Sequence, residues 1–555
     1  MQAGLNTVIR RASGFRSAPL FLGKGSCGMI KTLFISSTSA CFELEGKSPW
    51  FASEPYTLRL NGESAGGGET NVFSLFRLCP GAEYHLELRY ASGGVEELRF
   101  RTPEERCALD VRAFGALGDG ERDDTDAIQS AIAFLPEGGR LYFPPGIYRS
   151  LPLSLKSHIH LDFDEGAVLL ASTERERYPI LPGAVTDLDG GADVHFGAFE
   201  GQAQPMYASL LTAQYAEDIT ITGPGTLDGN GGVFWRDFFS LPAARPRLCF
   251  FNRCRGVRIH GIRAKDSPSW HFHPYYCTDL GFYDLRVEAP KDSPNTDAMD
   301  PESCDGLEII GCRFDVGDDC IAIKSGKIEL GRSLNVPASR HTIRNCLMEA
   351  GHGAVTLGSE IGAGVRELTV ERCLFRGTDR GLRIKTRRGR GENCRVDGVC
   401  FENIRMEGVL TPIAMNMWYN CCDPDRESEY VWSRERLPVD ERTPYLGRFH
   451  FRNIRCTDAH AAALYADALP EAPIGEIVME NVSVSFAAEA KPAVPIMKNF
   501  AEPCCRLGLY FDNVRRVELH NVHLQGADGE PLQAQHCGEI RAEGLTAEPW
   551  NGDGR

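Results

Sequence analysis

The sequence has no apolar run approaching the roughly 18 residues that a membrane-spanning helix needs. It has no basic excess either. Lys and Arg number 60 against 76 Asp and Glu, a net charge of −16, which argues against a general nucleic-acid binder. Its 20 cysteines include no C-x-x-C pair, so the usual zinc spacings are absent. The adjacent pairs Cys421-Cys422 and Cys504-Cys505 are not metal spacings. Twenty thiols in 555 residues also fall far below the density of a disulfide scaffold. They are expected to be small buried side chains in a reducing cytoplasm. Tryptophan is scarce at 6 while glycine reaches 58, which favours many tight turns. A 42% hydrophobic and 25% charged composition excludes wholesale disorder.

Acid is missing from the first 28 residues, which carry Arg10, Arg11, Arg16 and Lys24. A transit peptide and a twin-arginine export signal are both conceivable there. Export needs an apolar stretch, and only Pro19-Leu20-Phe21-Leu22 precedes Lys24. The favoured reading is that Met29 is the true start, because strand-like sequence begins at Ile30. Residues 1–29 are then a poorly ordered extension, and the protein is expected to be cytoplasmic.

Residues 30–104 pattern as a small β-sandwich. Phe42 and Leu44 alternate with Cys41, Glu43 and Glu45. Tyr56-Thr57-Leu58-Arg59-Leu60 runs into Asn61-Gly62, a hairpin signal. Segments 84–90 and 96–101 alternate again, and several short strands in so few residues suggest a sandwich. Leu78-Cys79-Pro80-Gly81-Ala82-Glu83-Tyr84 resembles the turn before a late strand of fibronectin type III modules. The stretch from Thr102 to Arg106 serves as a linker, so 105–555 forms the second unit. That unit opens on a helix: Asp123-Asp124-Thr125-Asp126 supplies capping residues, and Ala127, Ile128, Ala131, Ile132 and Leu135 follow at helical spacing.

From about residue 150 one motif recurs: apolar, any, apolar, any, Asn or Gly, apolar. Val257-x-Ile259-x-Gly261-Ile262, Leu307-x-Ile309-x-Gly311-Cys312 and Val399-x-Phe401-x-Asn403-Ile404 are examples. Phe449, Ile477 and Val517 begin later copies. Strand-length units with a turn residue at a fixed place predict a parallel β-helix. Asn or Gly at the corner tolerates a left-handed bend. Leucine-rich repeats would need more leucine and a tighter period. The fold class is therefore all-β, a parallel β-helix preceded by a small sandwich.

Four segments break the apolar rhythm with charge. They are Asn295-Thr296-Asp297, Gly317-Asp318-Asp319-Cys320 running to Lys324, Gly351-His352-Gly353, and Arg383-Ile384-Lys385. Each follows the last by about one coil, and neighbouring strands lie ~4.7–4.9 Å apart. Carboxylates, an imidazole and cations are thereby expected in one patch. Asp318-Asp319 alone is more often a turn, a single His352 a structural histidine, and Arg383-x-Lys385 a solvated edge. Their joint order favours a site.

These motifs resemble the four of glycoside hydrolase family 28, the polygalacturonases, over about residues 108–530. Ala298 departs from the family's usual Gly. The resemblance implies a right-handed β-helix and inverting hydrolysis of α-1,4 bonds between galacturonates. It assigns Asp318 as general acid, Asp297 and Asp319 as activators of water, and His352 as a group that tunes the acid. Inverting pairs sit ~6.5–9.5 Å apart, and like charges should keep one proton in the cluster. Arg383, Lys385, Asn295 and Lys324 are expected to bind substrate, the cations gripping its carboxylates. The aromatic segment 267–276 is expected either to stack sugars or to line the coil. No metal or cofactor is implied.

Insertions at 173–210, with Tyr178, Asp187, Asp189 and Gly190-Gly191, and at 410–447, with Trp418, Tyr419 and Tyr430, are long for turns. They suggest a walled cleft and exo attack from the non-reducing end. That fits the exo action the resemblance implies for bacterial members with such an N-terminal module. Alternatives are an endo-polygalacturonase, a rhamnogalacturonan or xylogalacturonan hydrolase, a calcium-dependent pectate lyase, or a non-catalytic carbohydrate-binding β-helix. The expected partner is pectin or oligogalacturonide. Nucleic acid is disfavoured because the basic stretch 380–395 has no interleaved aromatics, and oligomeric state is left open.

Overall fold

The computed structural model describes residues 30–186, 193–236, 238–420 and 428–549. The expected extension 1–29 lies outside the described residues, as do Asp187, Asp189, Gly190, Gly191 and the pair Cys421-Cys422.

Two antiparallel sheets open the chain. One holds Ile30–Ile35, Ala40–Leu44 and Val72–Leu75; the other holds Phe51–Leu60, Glu63–Thr70, Glu83–Tyr90 and Val95–Arg101. Asn61 and Gly62 adopt φ of 52° and 84°, the left-handed values a two-residue type I′ hairpin requires. They turn Phe51–Leu60 onto Glu63–Thr70. Phe42, Leu58, Phe73, Leu86, Leu88 and Phe100 form the module's core. The alternate residues of Ala40–Leu44 do not face water. Cys41 packs with Tyr283 and Ile310, and Glu43, 1% exposed, accepts hydrogen bonds from Arg344, Asn345 and Arg372. A buried carboxylate thus fixes the module to the second unit.

The second unit is a right-handed parallel β-helix, with 24 strands in its largest ladder. Val257, Leu280, Leu307, His341, Leu368 and Val399 occupy one register position on successive coils. Phe449, Ile477 and Val517 continue it. His341 is 2% exposed, and it stands where the repeat motif has an apolar residue. The corner residues Gly261, Asp284, Gly311, Asn345, Arg372 and Asn403 all have positive φ. Toward the C-terminus the corners become a ladder. Asn453 donates to Asn403, Asn481 to Asn453 and Asn521 to Asn481, at 3.1, 3.1 and 2.8 Å.

The helix Thr125–Phe134 presses Ile128, Ala131 and Ile132 into the same core. Asp124 does not cap it; its carboxylate accepts from the backbone of Leu117 and Gly118. The cysteines among the described residues are free thiols. Cys277, Cys304, Cys346 and Cys373 donate to carbonyls of the preceding coil. No helix among the described residues is long and apolar enough to cross a membrane.

A second parallel ladder carries the charged motifs. Its first part ends on Cys249–Asn252 and Phe272–Tyr275. Its second part runs Ile321–Ile323, Val355–Gly358, Arg380–Lys385, Thr411–Asn416, Ala462–Asp467 and onward. Single bridges from Phe272 to Met299 to Ile321, and from Tyr275 to Glu302 to Lys324, join the two parts. The segment after Asp297 is therefore one more rung.

Candidate active site

Each motif sits at or beside this ladder. Asp318 and Asp319 occupy the turn before Ile321–Ile323, His352 the turn before Val355–Gly358, and Arg383 and Lys385 lie on Arg380–Lys385. The glycines around His352 have a steric reason. Gly351 has φ 110°, and a Cβ there would lie 2.7 Å from the Asp318 carbonyl oxygen. A Cβ on Gly353 would lie 2.8 Å from Asp319 Oδ1. Ala298 is not among the residues with positive φ, so its methyl group is accommodated without strain.

Asp297, Asp318 and Asp319 each bring an oxygen within 4.8 Å of the others. This is tighter than the ~6.5–9.5 Å of an inverting pair. Asp319 is fully buried; its Oδ1 accepts from Arg383 and its Oδ2 from Lys385, both at 2.8 Å. Burial alone would raise its pKa, but Lys385 and Arg383 prevail and hold the carboxyl well below the usual range. Asp297 shows the opposite balance. Burial, then Asp300 and Asp318, push it well above the usual range, and its Oδ1 has no hydrogen-bond partner. The cluster thus favours the ionised form of Asp319 and the protonated form of Asp297.

Asp318 is the more accessible acid, its side chain 21% exposed. Its Oδ1 accepts from the Asp319 N–H at 2.9 Å and faces His352 Nδ1 at 3.3 Å. That contact raises the His352 pKa above its ordinary value, against the opposing effect of burial. The three carboxyls, the imidazole and the two cations form one constellation suited to proton transfer at a polar bond.

Comparison with known sequences and structures places the chain in a family. Residues 188–505 match the family described as "Glycosyl hydrolases family 28". The chain belongs to glycoside hydrolase family 28. Residues 108–162 match "Rhamnogalacturonase A/epimerase, pectate lyase-like". A "Probable polygalacturonase" of Vitis vinifera is 30% identical over 425 residues, covering 73% of this chain and 81% of that one. The solved family 28 exopolygalacturonase of Yersinia enterocolitica shares the fold with a TM-score of 0.69 and 18% identity, over 93% of this chain and 98% of that one. A hyperthermoactive exopolygalacturonase from Thermotoga maritima does so at 0.59 and 24%, over 72% and 96%.

Several expected binding residues of this glycosidase are placed differently from expectation. Lys324 is 4% exposed; its Nζ lies 3.0 Å from Glu360 and 3.4 Å from Asp300, over the ring of Trp270. Arg383 and Lys385 have Asp319 as first partner rather than open solvent. Asn295 is half-buried, its Oδ1 accepting from Arg245 at 2.5 Å. In the segment 267–276, Trp270, Phe272 and Tyr275 are buried, so they build the wall rather than offer a stacking surface. Asp300 and Glu302 are buried too, and burial pushes Glu302 up to about 7.

Two contacts had no signal in the sequence. Arg383 Nη2 points at Met497 Sδ, 2.9 Å away, and the Met497 carbonyl accepts from Asn416 at 2.7 Å. Arg245 braces the first motif through Asn295 and the Pro294 carbonyl. Both come from irregular loops far away in sequence.

Proposed function

We propose that this glycosidase hydrolyses the α-1,4 bonds of polygalacturonate and oligogalacturonides, releasing galacturonate from the non-reducing end with inversion. The observation that carries the reading is the divided carboxylate cluster. Asp319, held ionised by Lys385 and Arg383, takes a proton from water, and the unpartnered Oδ1 of Asp297 helps to hold that water. Asp318, accessible from the cleft, protonates the leaving oxygen. Asp318 passes from its protonated to its ionised form as it does so. His352 steadies Asp318 between the two states. Arg383, Lys385 and the neighbouring Arg380 give the site the positive charge that an acidic sugar needs.

Exo attack rests on the loops. Residues 193–207 pack over the coil beside Lys324: Phe199 meets Trp270 at a tilt, centroids 5.5 Å apart, the Ala198 carbonyl accepts from Arg247, and the Gly201 carbonyl from the Lys327 N–H. The exo reading takes them as the wall at one end of the cleft. A time course on polygalacturonate tests the mode. Monogalacturonate as the sole early product with slow viscosity loss supports it. Mixed oligomers with rapid viscosity loss mean endo attack.

A further inference from the structure

A second pocket opens on the other side of the cluster. Trp418, Glu429, Trp432, Arg434, Lys498 and Phe500 bound a cavity of about 610 Å³. Behind its wall Asp467 pairs with Arg434 and Lys498; it sits two strands from Lys385 in the same register through Asn416, about 10 Å along the ladder. Tyr419 stands between the two regions: its ring lies under Lys385 Nζ at 5.7 Å and its backbone bridges to Lys498, a residue of the pocket wall.

The charges here are arranged unlike those around Asp319. Arg434 donates to both oxygens of Asp467 at 2.7 and 3.0 Å, and Lys498 adds a contact at 2.6 Å. One buried carboxylate therefore occupies both cations, while Glu429 and Glu435 add negative charge at the rim. A second galacturonate carboxylate gains little here. The aromatic surface is abundant: Phe500 is 85% exposed and meets Trp432 edge-on at 5.9 Å. An exposed ring of this kind buries the apolar face of a sugar well.

We propose that this pocket binds an uncharged sugar unit of the pectic chain, either a methyl-esterified galacturonate or a neutral branch sugar. The inference rests on the substrate reading above, and places tolerance of uncharged units four rungs of the ladder from Asp318.

The test uses full-length Asp318→Asn protein, so that ligand is not consumed, with and without Phe500→Ala or Phe500→Trp. Calorimetry measures binding of hexagalacturonate, its partly methyl-esterified form, and a xylose-bearing oligogalacturonide. Phe500→Ala is expected to weaken the uncharged-unit ligands by about tenfold, the scale of one lost aromatic contact. Hexagalacturonate should change far less, and Phe500→Trp should restore binding. A response to the ester alone, or to xylose alone, identifies which source the pocket serves. Equal weakening of all three ligands, or of none, overturns the proposal. If the unsubstituted enzyme cleaves no galacturonide while Phe500-dependent binding persists, the substrate reading falls and the pocket stands. Normal cleavage with Phe500-independent binding removes the pocket alone.

Discussion

The ammonium of Lys385 lies 2.8 Å from Oδ2 of Asp319, and both groups are buried. This ion pair sets the charge of the carboxylate proposed to activate water. A lysine expected to grip substrate thus pairs first with the proposed base.

Lys385→Met should therefore lower kcat on free-acid and methyl-esterified substrates alike, by roughly 10²-fold or more if base function is lost. Its loss also removes a cation that depresses Asp319. The carboxyl pKa rises, and the acid limb of the pH–rate profile moves to higher pH. A loss confined to acidic substrates, with an unmoved acid limb, would mean that Lys385 serves substrate alone.

Asp318→Asn should reduce turnover by roughly 10²–10⁴-fold while oligogalacturonide binding persists. The same substitution removes the negative partner of His352, so the imidazole pKa falls back toward its ordinary value. NMR titration of His352 reads this directly. An unchanged titration would detach the histidine from the acid.

Proton NMR of the first turnovers should show the β-anomer of the released sugar, as inversion at an α-linkage requires. The 4.8 Å clustering makes this a real test, because retaining enzymes hold their carboxyls ~5–5.5 Å apart. An α-anomer would assign a nucleophile to the cluster.

Chelation by EDTA should leave activity intact. Three oxygens within 4.8 Å are a geometry a cation can use, but both oxygens of Asp319 already face Arg383 and Lys385. Loss of activity with EDTA and recovery with calcium would favour a lyase, as would a product absorbing in the ultraviolet.

Glu43→Gln should destabilise the protein by about 3–5 kcal/mol, since it strips buried Arg372 of its counter-charge and leaves Arg344 only Glu371 at 3.5 Å. Denaturant unfolding measures it. A change under 1 kcal/mol would mean that water replaces the carboxylate at the ~1 kcal/mol level of an exposed pair.

Much of this molecule is legible in one dimension, and the reason is local. Corner residues such as Gly311 and Asn403 announce each coil because backbone sterics demand them wherever the chain bends left-handed. Asp297, Asp318, His352 and Arg383 announce the site because each lies about one coil beyond the last. What is not legible depends on partners that no local rule connects. Glu43 looks like the polar half of an alternating strand, yet Arg344 and Arg372 lie some 300 positions away. Lys324 shares a rung with reacting groups but turns toward Glu360 and Trp270. His341 broke the apolar motif and concealed a coil, because burial of a neutral imidazole donating to a carbonyl (Cys304, 3.0 Å) looks polar in sequence. Met497 reaches Arg383 from a loop without any motif.

The asparagine ladder has a direction. Every amide from Asn453 to Asn521 donates toward the N-terminal neighbour, so the side-chain dipoles add head to tail and polarise one another. The row stops because the next register position is Gly544, with φ 75° and no side chain to accept from or donate to. The final coil is consequently the one turn of this stretch held by backbone pairing without the polar spine, and unzipping of the solenoid should begin there. Asparagine tolerates the same left-handed backbone, so Gly544→Asn would lengthen the spine by one residue and move the fraying point outward.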